Sequence, residues 1–125
     1  MVLPSTVILT MDNSGARRVR CIKIYKKPGR GRGVVGDLIK IIVLRLRNRG
    51  ILRVKRGEIH IALISRVSTP VFRTTKGYFF KFDINSVIVL SKKKGPTGTR
   101  LFGPCAKELR NKNLIRITAL STRLV

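Results

Sequence analysis

Acidic residues are scarce in this chain of 125 residues, because 5 Asp and Glu stand against 28 Lys and Arg, for a formal net charge of +23. A monomer with this much unbalanced charge repels itself, so a polyanionic partner is expected, and nucleic acid is the first candidate. A membrane surface would also supply negative charge. It would call for an amphipathic helix or a lipid anchor, and the sequence shows neither pattern.

Long hydrophobic runs and targeting patterns are also missing. The longest aliphatic run, 41–44, is far shorter than the roughly 20 residues of a membrane span. The first positive side chain is Arg17, which does not fit a signal or transit peptide. We therefore expect the protein to be made in the compartment where it works, unless a targeting segment lies outside this sequence. The hydrophobic fraction of 43% is that of one folded domain, 1–125, and not of a disordered polycation.

Groups that could carry catalysis are few and scattered. Cys21 and Cys105 form no C-x-x-C pair and are predicted to be small buried side chains. With His60, the only histidine, they could imitate a nucleophile–base pair or a partial zinc site, but their spacing supports neither. We expect His60 on a strand face. The glycine-rich segment 29–36 has no helix after it and no P-loop pattern, so the prediction is a non-enzyme without metal or cofactor.

β-branched residues are abundant and are divided into short runs by Gly, Pro and Asx turns, which predicts β-strands. The predicted strands cover 6–11, 16–25, 34–46 and 59–67, with a further hairpin pairing 78–82 with 87–90. A change of apolar parity within 16–25 predicts a bulge or tight curvature, as in a small barrel. A helix is predicted from Gly103-Pro104 to Asn113, followed by a short strand or helical turn at 114–120. The fold class is mainly β: a barrel over about 1–98 and a short C-terminal helical element over about 99–125.

The basic residues form three clusters that we predict to bind RNA phosphates, although any single cluster would also suit a solvated surface. The first lies in a glycine-rich loop, where backbone amides can approach phosphates closely. The second follows an alternating pattern over 44–55 that predicts a projecting hairpin with its tip at 48–50. The clusters are Lys26, Lys27, Arg30 and Arg32 in the loop; Arg45, Arg47, Arg49, Arg53, Lys55 and Arg56 on the hairpin; and Lys92, Lys93 and Lys94.

Aromatic residues make up only 6% of the chain, and four of them crowd the segment 78–82. Alternating aromatics in a short strand are typical of core packing, with stacking on unpaired bases as the alternative. We therefore expect RNA to be recognised by its shape and backbone and not by its sequence.

Several strings resemble a known family. The string DNSGARRVRCIK at 12–23 closely resembles the opening motif of the large-subunit ribosomal protein fourteen family. GDLIK at 36–40, VKRGE at 54–58, FDIN at 82–85 and GTRLFGP at 98–104 follow in that family's order and spacing. ELR at 108–110 and IRI at 115–117 complete its C-terminal element.

This resemblance implies a five-stranded barrel with a protruding β-ribbon and a C-terminal helical part. It also implies a structural constituent of the large ribosomal subunit that binds large-subunit rRNA, contributes to bridges with small-subunit rRNA, and contacts a neighbouring large-subunit protein through the ribbon. The cations of the opening motif, Arg17, Arg18 and Lys23, join the predicted rRNA-binding set. By motif position, Thr99, Arg100 and Arg116 fall on the face where silencing or anti-association factors dock in that family.

Two questions stay open at this point. The segment 45–53 is more basic than in bacterial members, and this excess charge without a targeting segment favours a mitochondrial, organelle-encoded protein, with the bacterial cytoplasm as the alternative. The rival functions are a free RNA-binding chaperone or translation factor, and an RNase that uses His60 with a lysine.

Overall fold

A computed structural model describes residues 1–25, 31–111 and 114–125. Within these ranges the chain forms strands and two short helices, which confirms the mainly β prediction. The elements are β1 (Val7–Thr10), β2 (Ala16–Ile24), β3 (Leu38–Leu46), β4 (Ile59–Arg66), β5 (Val71–Arg73), β6 (Tyr78–Phe80), β7 (Ser86–Leu90), α1 (Glu108–Asn111) and α2 (Ile115–Thr118). No helix in the described ranges is long and apolar enough to cross a membrane.

Five strands close a barrel in the order β1-β2-β3-β4-β7. Neighbouring strands are antiparallel, except that β1 and β7 close the barrel in parallel, with Leu9 opposite Ser86. The pairing of β2 with β3 shifts register near Arg18 and again between Cys21 and Lys23. The parity change in the sequence therefore marks real irregularities, which increase twist and help a sheet to close.

The barrel encloses the hydrophobic core, and the C-terminal helical element packs on the same core. Along β3 the buried residues alternate as Ile39, Ile41 and Val43, which is the period of a half-buried strand. By contrast, all of β7 is buried. Leu109 of α1 and Ile117 of α2 join this core cluster, and burial of each such side chain contributes about 1.5–3 kcal/mol.

The hairpin predicted for 44–55 is wrong, because the chain from 47 to 58 lies outside the strands. The backbone amides of Arg47 and Arg53 donate to the carbonyls of Gly15 and Ser14, each at 2.8 Å. Val54 is buried. The segment therefore folds back on the turn at 12–15 and does not pair with a returning arm of its own.

The two-stranded ribbon is formed elsewhere, by β5 and β6, with Phe72 opposite Phe79. The predicted pairing of 78–82 with 87–90 is therefore wrong as well, since β7 pairs with β4 and β1. The segment between β6 and β7 is not a hairpin turn, because these two strands do not pair with each other. Within it, the Asn85 side chain accepts a hydrogen bond from the Ser68 amide at 2.8 Å. This contact directs the chain back to the barrel.

The helix predicted from 103 to 113 is shorter than expected. The amides of Cys105 and Lys107 each donate at 2.9 Å to carbonyls of the C-terminal tail, at Arg123 and Val125. This pairing ties the backbone at 105 and 107 to the tail, and α1 begins only at Glu108. The alternative of a helical turn within 114–120 is confirmed as α2.

Candidate nucleic-acid interface

The cations predicted to bind RNA lie at the surface of the described structure. Arg47 is half-buried, and the side chains of the others are exposed: Arg17, Arg18, Lys23, Arg32, Arg45, Arg49, Arg53, Lys55, Arg56, Lys92, Lys93 and Lys94. Lys26, Lys27 and Arg30 lie outside the described residues.

Four of the 5 carboxylates are engaged within the protein, and one of them, Asp37, accepts a hydrogen bond from the Val34 amide at 2.9 Å. Asp12 is fully buried, where it accepts hydrogen bonds from the Val89 amide at 3.0 Å and the Ser14 hydroxyl at 2.8 Å. Burial raises the pKa of Asp12. The hydrogen bond from His60 at 2.8 Å lowers the pKa of Glu58, and Glu108 pairs with Arg73 at 2.7 Å. These contacts satisfy the four carboxylates within the fold.

Several of the exposed cations have no carboxylate partner among the described residues. Within the described ranges, no ion pair is formed by Arg17, Arg18, Arg45, Arg49 or the lysines at 92–94. A polyanion can therefore approach them without displacing a carboxylate, and each phosphate contact releases counterions.

Thr99 and Arg100 are positioned by one side chain, Asn13. Its Oδ1 accepts from the Thr99 amide at 2.8 Å and the Arg100 amide at 3.1 Å. Its Nδ2 donates to the Thr99 hydroxyl at 3.0 Å. The approach is close because Gly98 lacks a Cβ, which would lie 2.6 Å from Asn13 Oδ1. Sequence reasoning missed this role of Asn13, because its partners lie 86 and 87 positions away.

Phe102 joins the arginines of the folded-back segment to Arg100. Its ring centroid lies 5.2 Å from Arg47 Cζ and 5.5 Å from Arg100 Cζ, within the range of cation–π attraction. Arg47 also donates to the Thr10 carbonyl at 3.3 Å, and Arg53 to the Thr97 carbonyl at 2.8 Å. Two groups that are far apart in the sequence therefore share one surface.

We call this surface the arginine face and define it by Arg47, Arg49, Arg53, Thr99 and Arg100. All of these except Arg100 line a cavity of about 300 Å³, together with Asn13 and Phe102. Guanidinium groups around a concave surface suit phosphate or carboxylate groups, which they bind through paired N–H donors.

Arg116 does not belong to the arginine face. It lies on α2 and is exposed, and it lines a separate depression of about 290 Å³ with Lys94. Thr99 and Arg100 are adjacent and are both held by Asn13, while Arg116 lines its depression with Lys94.

The residues considered for catalysis have structural environments. Cys21 and Cys105 are free and buried, as predicted, and burial raises the pKa of both thiols. His60 lies on β4 and bonds to Glu58. No group of three His, Cys, Asp or Glu side chains that could hold a metal occurs in the described ranges.

A small closed barrel with an exposed cationic surface is typical of proteins that bind RNA. The family model of ribosomal protein L14p/L23e matches residues 1–125, and the chain belongs to this family. It is thus a structural constituent of the large ribosomal subunit, in a family that associates with ribosomal RNA and other ribosomal proteins and is typically non-enzymatic. The resemblance seen in the motifs is confirmed.

Proposed function

We propose that the exposed clusters bind the phosphate backbone of large-subunit rRNA and that the arginine face contributes to bridges with small-subunit rRNA. The observation that carries this proposal is the separation of charge: four of the 5 carboxylates are engaged within the protein, while the clusters at 17–23, 45–56 and 92–94 have exposed cations. The loop at 26–32 belongs to the same proposal by its sequence.

The mechanism is scaffolding by charge and shape. Neutralising rRNA phosphates releases counterions, which drives association and makes it dependent on salt. The closed barrel and the hydrogen bonds of Asn13 hold Thr99 and Arg100 in place before the subunits meet. Less conformational entropy is then lost on joining.

The arginine face is also our proposed docking surface for an anti-association or silencing factor, with Arg116 as a second, separate contact. Carboxylates on such a factor would match the guanidinium groups of Arg49 and Arg100. We assign the proposed contact with a neighbouring large-subunit protein to β5 and β6, which form the ribbon, and not to the segment at 45–56. There Phe72 and Phe79 are 49% and 68% exposed, and their ring centroids lie 4.7 Å apart.

We also propose a mitochondrial ribosome as the location, with the bacterial cytoplasm as the alternative. The support is the net charge of +23 together with the four arginines of the segment 45–53. Finding the gene in an organelle genome would support this location, and finding it in a bacterial chromosome would overturn it.

The function is tested by reversing charge where no structural contact is lost. Arg45→Glu with Arg49→Glu suits this purpose because both side chains are exposed, whereas Arg47 and Arg53 bond to backbone carbonyls. We expect the variant to fold and to be depleted severalfold from large subunits washed at high salt and separated on a sucrose gradient.

Lys76→Glu with Lys81→Glu is the matched control, since it makes the same charge change at two exposed positions outside the predicted set. Wild-type occupancy of the Arg45 and Arg49 variant would contradict the proposed contacts. Recovery of the wild-type protein only in light, soluble fractions would favour the free RNA-binding chaperone.

A further inference from the structure

A further cavity lies at the end of the barrel where β2 and β7 finish. Its volume is about 420 Å³, within the range of roughly 300–1,000 Å³ that small-ligand pockets occupy. The residues that line it are Tyr25, Lys40, Ile59, His60, Ile61, Leu90, Ser91, Lys92 and Thr97.

The floor of this cavity is built on the barrel and is therefore rigid. Lys40 of β3 lies opposite Ile61 of β4, and Ile61 lies opposite Leu90 of β7, so the three form one row across the sheet. Tyr25 is held beside this row, because its amide donates to the Leu38 carbonyl at 3.0 Å.

The rim is a hydrogen-bonded turn that carries the lysine cluster. The Ser91 amide donates to the Gly95 carbonyl at 2.8 Å, and the Thr97 amide donates to the Val89 carbonyl at 3.1 Å. The Thr97 hydroxyl oxygen is buried and has no hydrogen-bond partner among the described residues.

The chemistry of the lining combines two features. Tyr25, Ile59 and Ile61 offer an aromatic ring and aliphatic walls, which suit a flat uncharged group such as a nucleobase. The ammonium groups of Lys40 and Lys92 suit the phosphates on either side of that base. The carboxylate nearest in the sequence, Glu58, bonds to His60 and does not line the cavity.

We propose that this cavity receives one unpaired nucleotide of an RNA strand, with the base against Tyr25 and its flanking phosphates on Lys40 and Lys92. The proposal rests on the rRNA-binding function above and adds a defined contact to it. It also modifies the expectation of recognition by backbone alone, since a paired base inside a duplex could not enter. The site would thus distinguish a bulged or looped nucleotide from a continuous helix.

The experiment compares three RNA hairpins at one salt concentration by fluorescence anisotropy with the full-length protein. One hairpin carries a bulged adenosine, the second an abasic residue at the same bulge, and the third is fully paired. Because stacking of a base on an aromatic ring is lost in the abasic hairpin, we expect wild type to bind the adenosine bulge roughly five- to hundredfold more tightly than the abasic bulge.

Variants assign that preference to the cavity. Tyr25→Leu should abolish it, Tyr25→Phe should retain it, and Ile59→Ala should reduce it without loss of folding, because Ile59 is 55% exposed. Phe79→Leu is the matched control, since it removes an exposed ring that does not line the cavity.

The outcomes separate the two proposals. Equal affinity of wild type for the adenosine and abasic bulges would overturn the nucleotide site and leave the rRNA-binding function standing. A preference that survives both Tyr25→Leu and Ile59→Ala would also overturn the site. If wild type bound none of the three hairpins, both the rRNA-binding function and the nucleotide site would be overturned.

Discussion

At the scale of single residues, the functional surface depends on a side chain that carries no charge. Asn13 makes three hydrogen bonds to Thr99 and Arg100, at distances from 2.8 to 3.1 Å. The cations could be identified from the sequence, because a large excess of Lys and Arg over Asp and Glu must lie mostly at the surface. The role of Asn13 could not, because its partners lie 86 and 87 positions away, and no local pattern encodes such a distance.

Gly98 tests the close approach that Asn13 requires. In Gly98→Ala the new Cβ would lie 2.6 Å from Asn13 Oδ1 and 3.2 Å from its backbone nitrogen, so the loop must shift. We expect a loss of about 1–3 kcal/mol in the free energy of unfolding, measured by urea denaturation. Gly95→Ala is the matched control from the same loop, since its nearest neighbour is Ser91 Oγ at 3.8 Å. Equal stability of the two variants would contradict the packing described here.

At the scale of secondary-structure elements, the sequence predicted the strands better than their partners. Runs of β-branched residues identify β1 to β4 and β7, because such side chains fit a pleated, half-buried surface. The prediction was wrong for the folded-back segment because Arg and Leu alternate over 44–47 with the period of a strand, and this pattern, most of which lies in β3, was extended beyond the end of that strand. The backbone of the segment instead bonds to Ser14 and Gly15, a distant pairing that periodicity does not report.

The ribbon of β5 and β6 is attached to α1 by Arg73. Its guanidinium donates to both carboxylate oxygens of Glu108, at 2.7 and 3.1 Å, and to the Val125 carbonyl at 2.6 Å. Its Cζ also lies 3.9 Å from the ring centroid of Phe80. The carboxylate holds the pKa of Arg73 above its usual range.

Removal of Arg73 should therefore loosen the ribbon. We expect Arg73→Ala to lower the free energy of unfolding by about 2–4 kcal/mol, because it leaves a half-buried carboxylate without its partner. Glu108→Gln should cost less, and the double variant should cost less than the sum of the two. A double-mutant cycle by thermal and urea unfolding measures this coupling, and strictly additive losses would show that Arg73 and Glu108 act independently.

At the scale of the whole molecule, charge determined what could be inferred first. The net charge of +23 indicated a polyanionic partner before any element was placed. The placement of the cations needed the fold, because barrel closure decides which of them share a face.

The cationic surface should act as a sum of separate phosphate contacts. For binding to an rRNA fragment, we expect Lys92→Gln with Lys93→Gln to weaken affinity on every RNA tested and to reduce the slope of log K against log salt by about two. Lys76→Gln with Lys81→Gln should leave the slope unchanged. Titrations at four or five salt concentrations measure it, and an unaltered slope in the first variant would remove the lysine cluster from the interface.

The parallel pairing of β1 with β7 has a consequence for synthesis of the chain. Leu9 meets Ser86, so the barrel cannot close until nearly the whole of it has left the translating ribosome. Because synthesis adds roughly 5–20 residues per second, several seconds pass between the synthesis of β1 and that of β7. During that time Arg17, Arg18 and Arg20 emerge on an unfinished sheet, so the nascent chain presents its charge to RNA before it has a core.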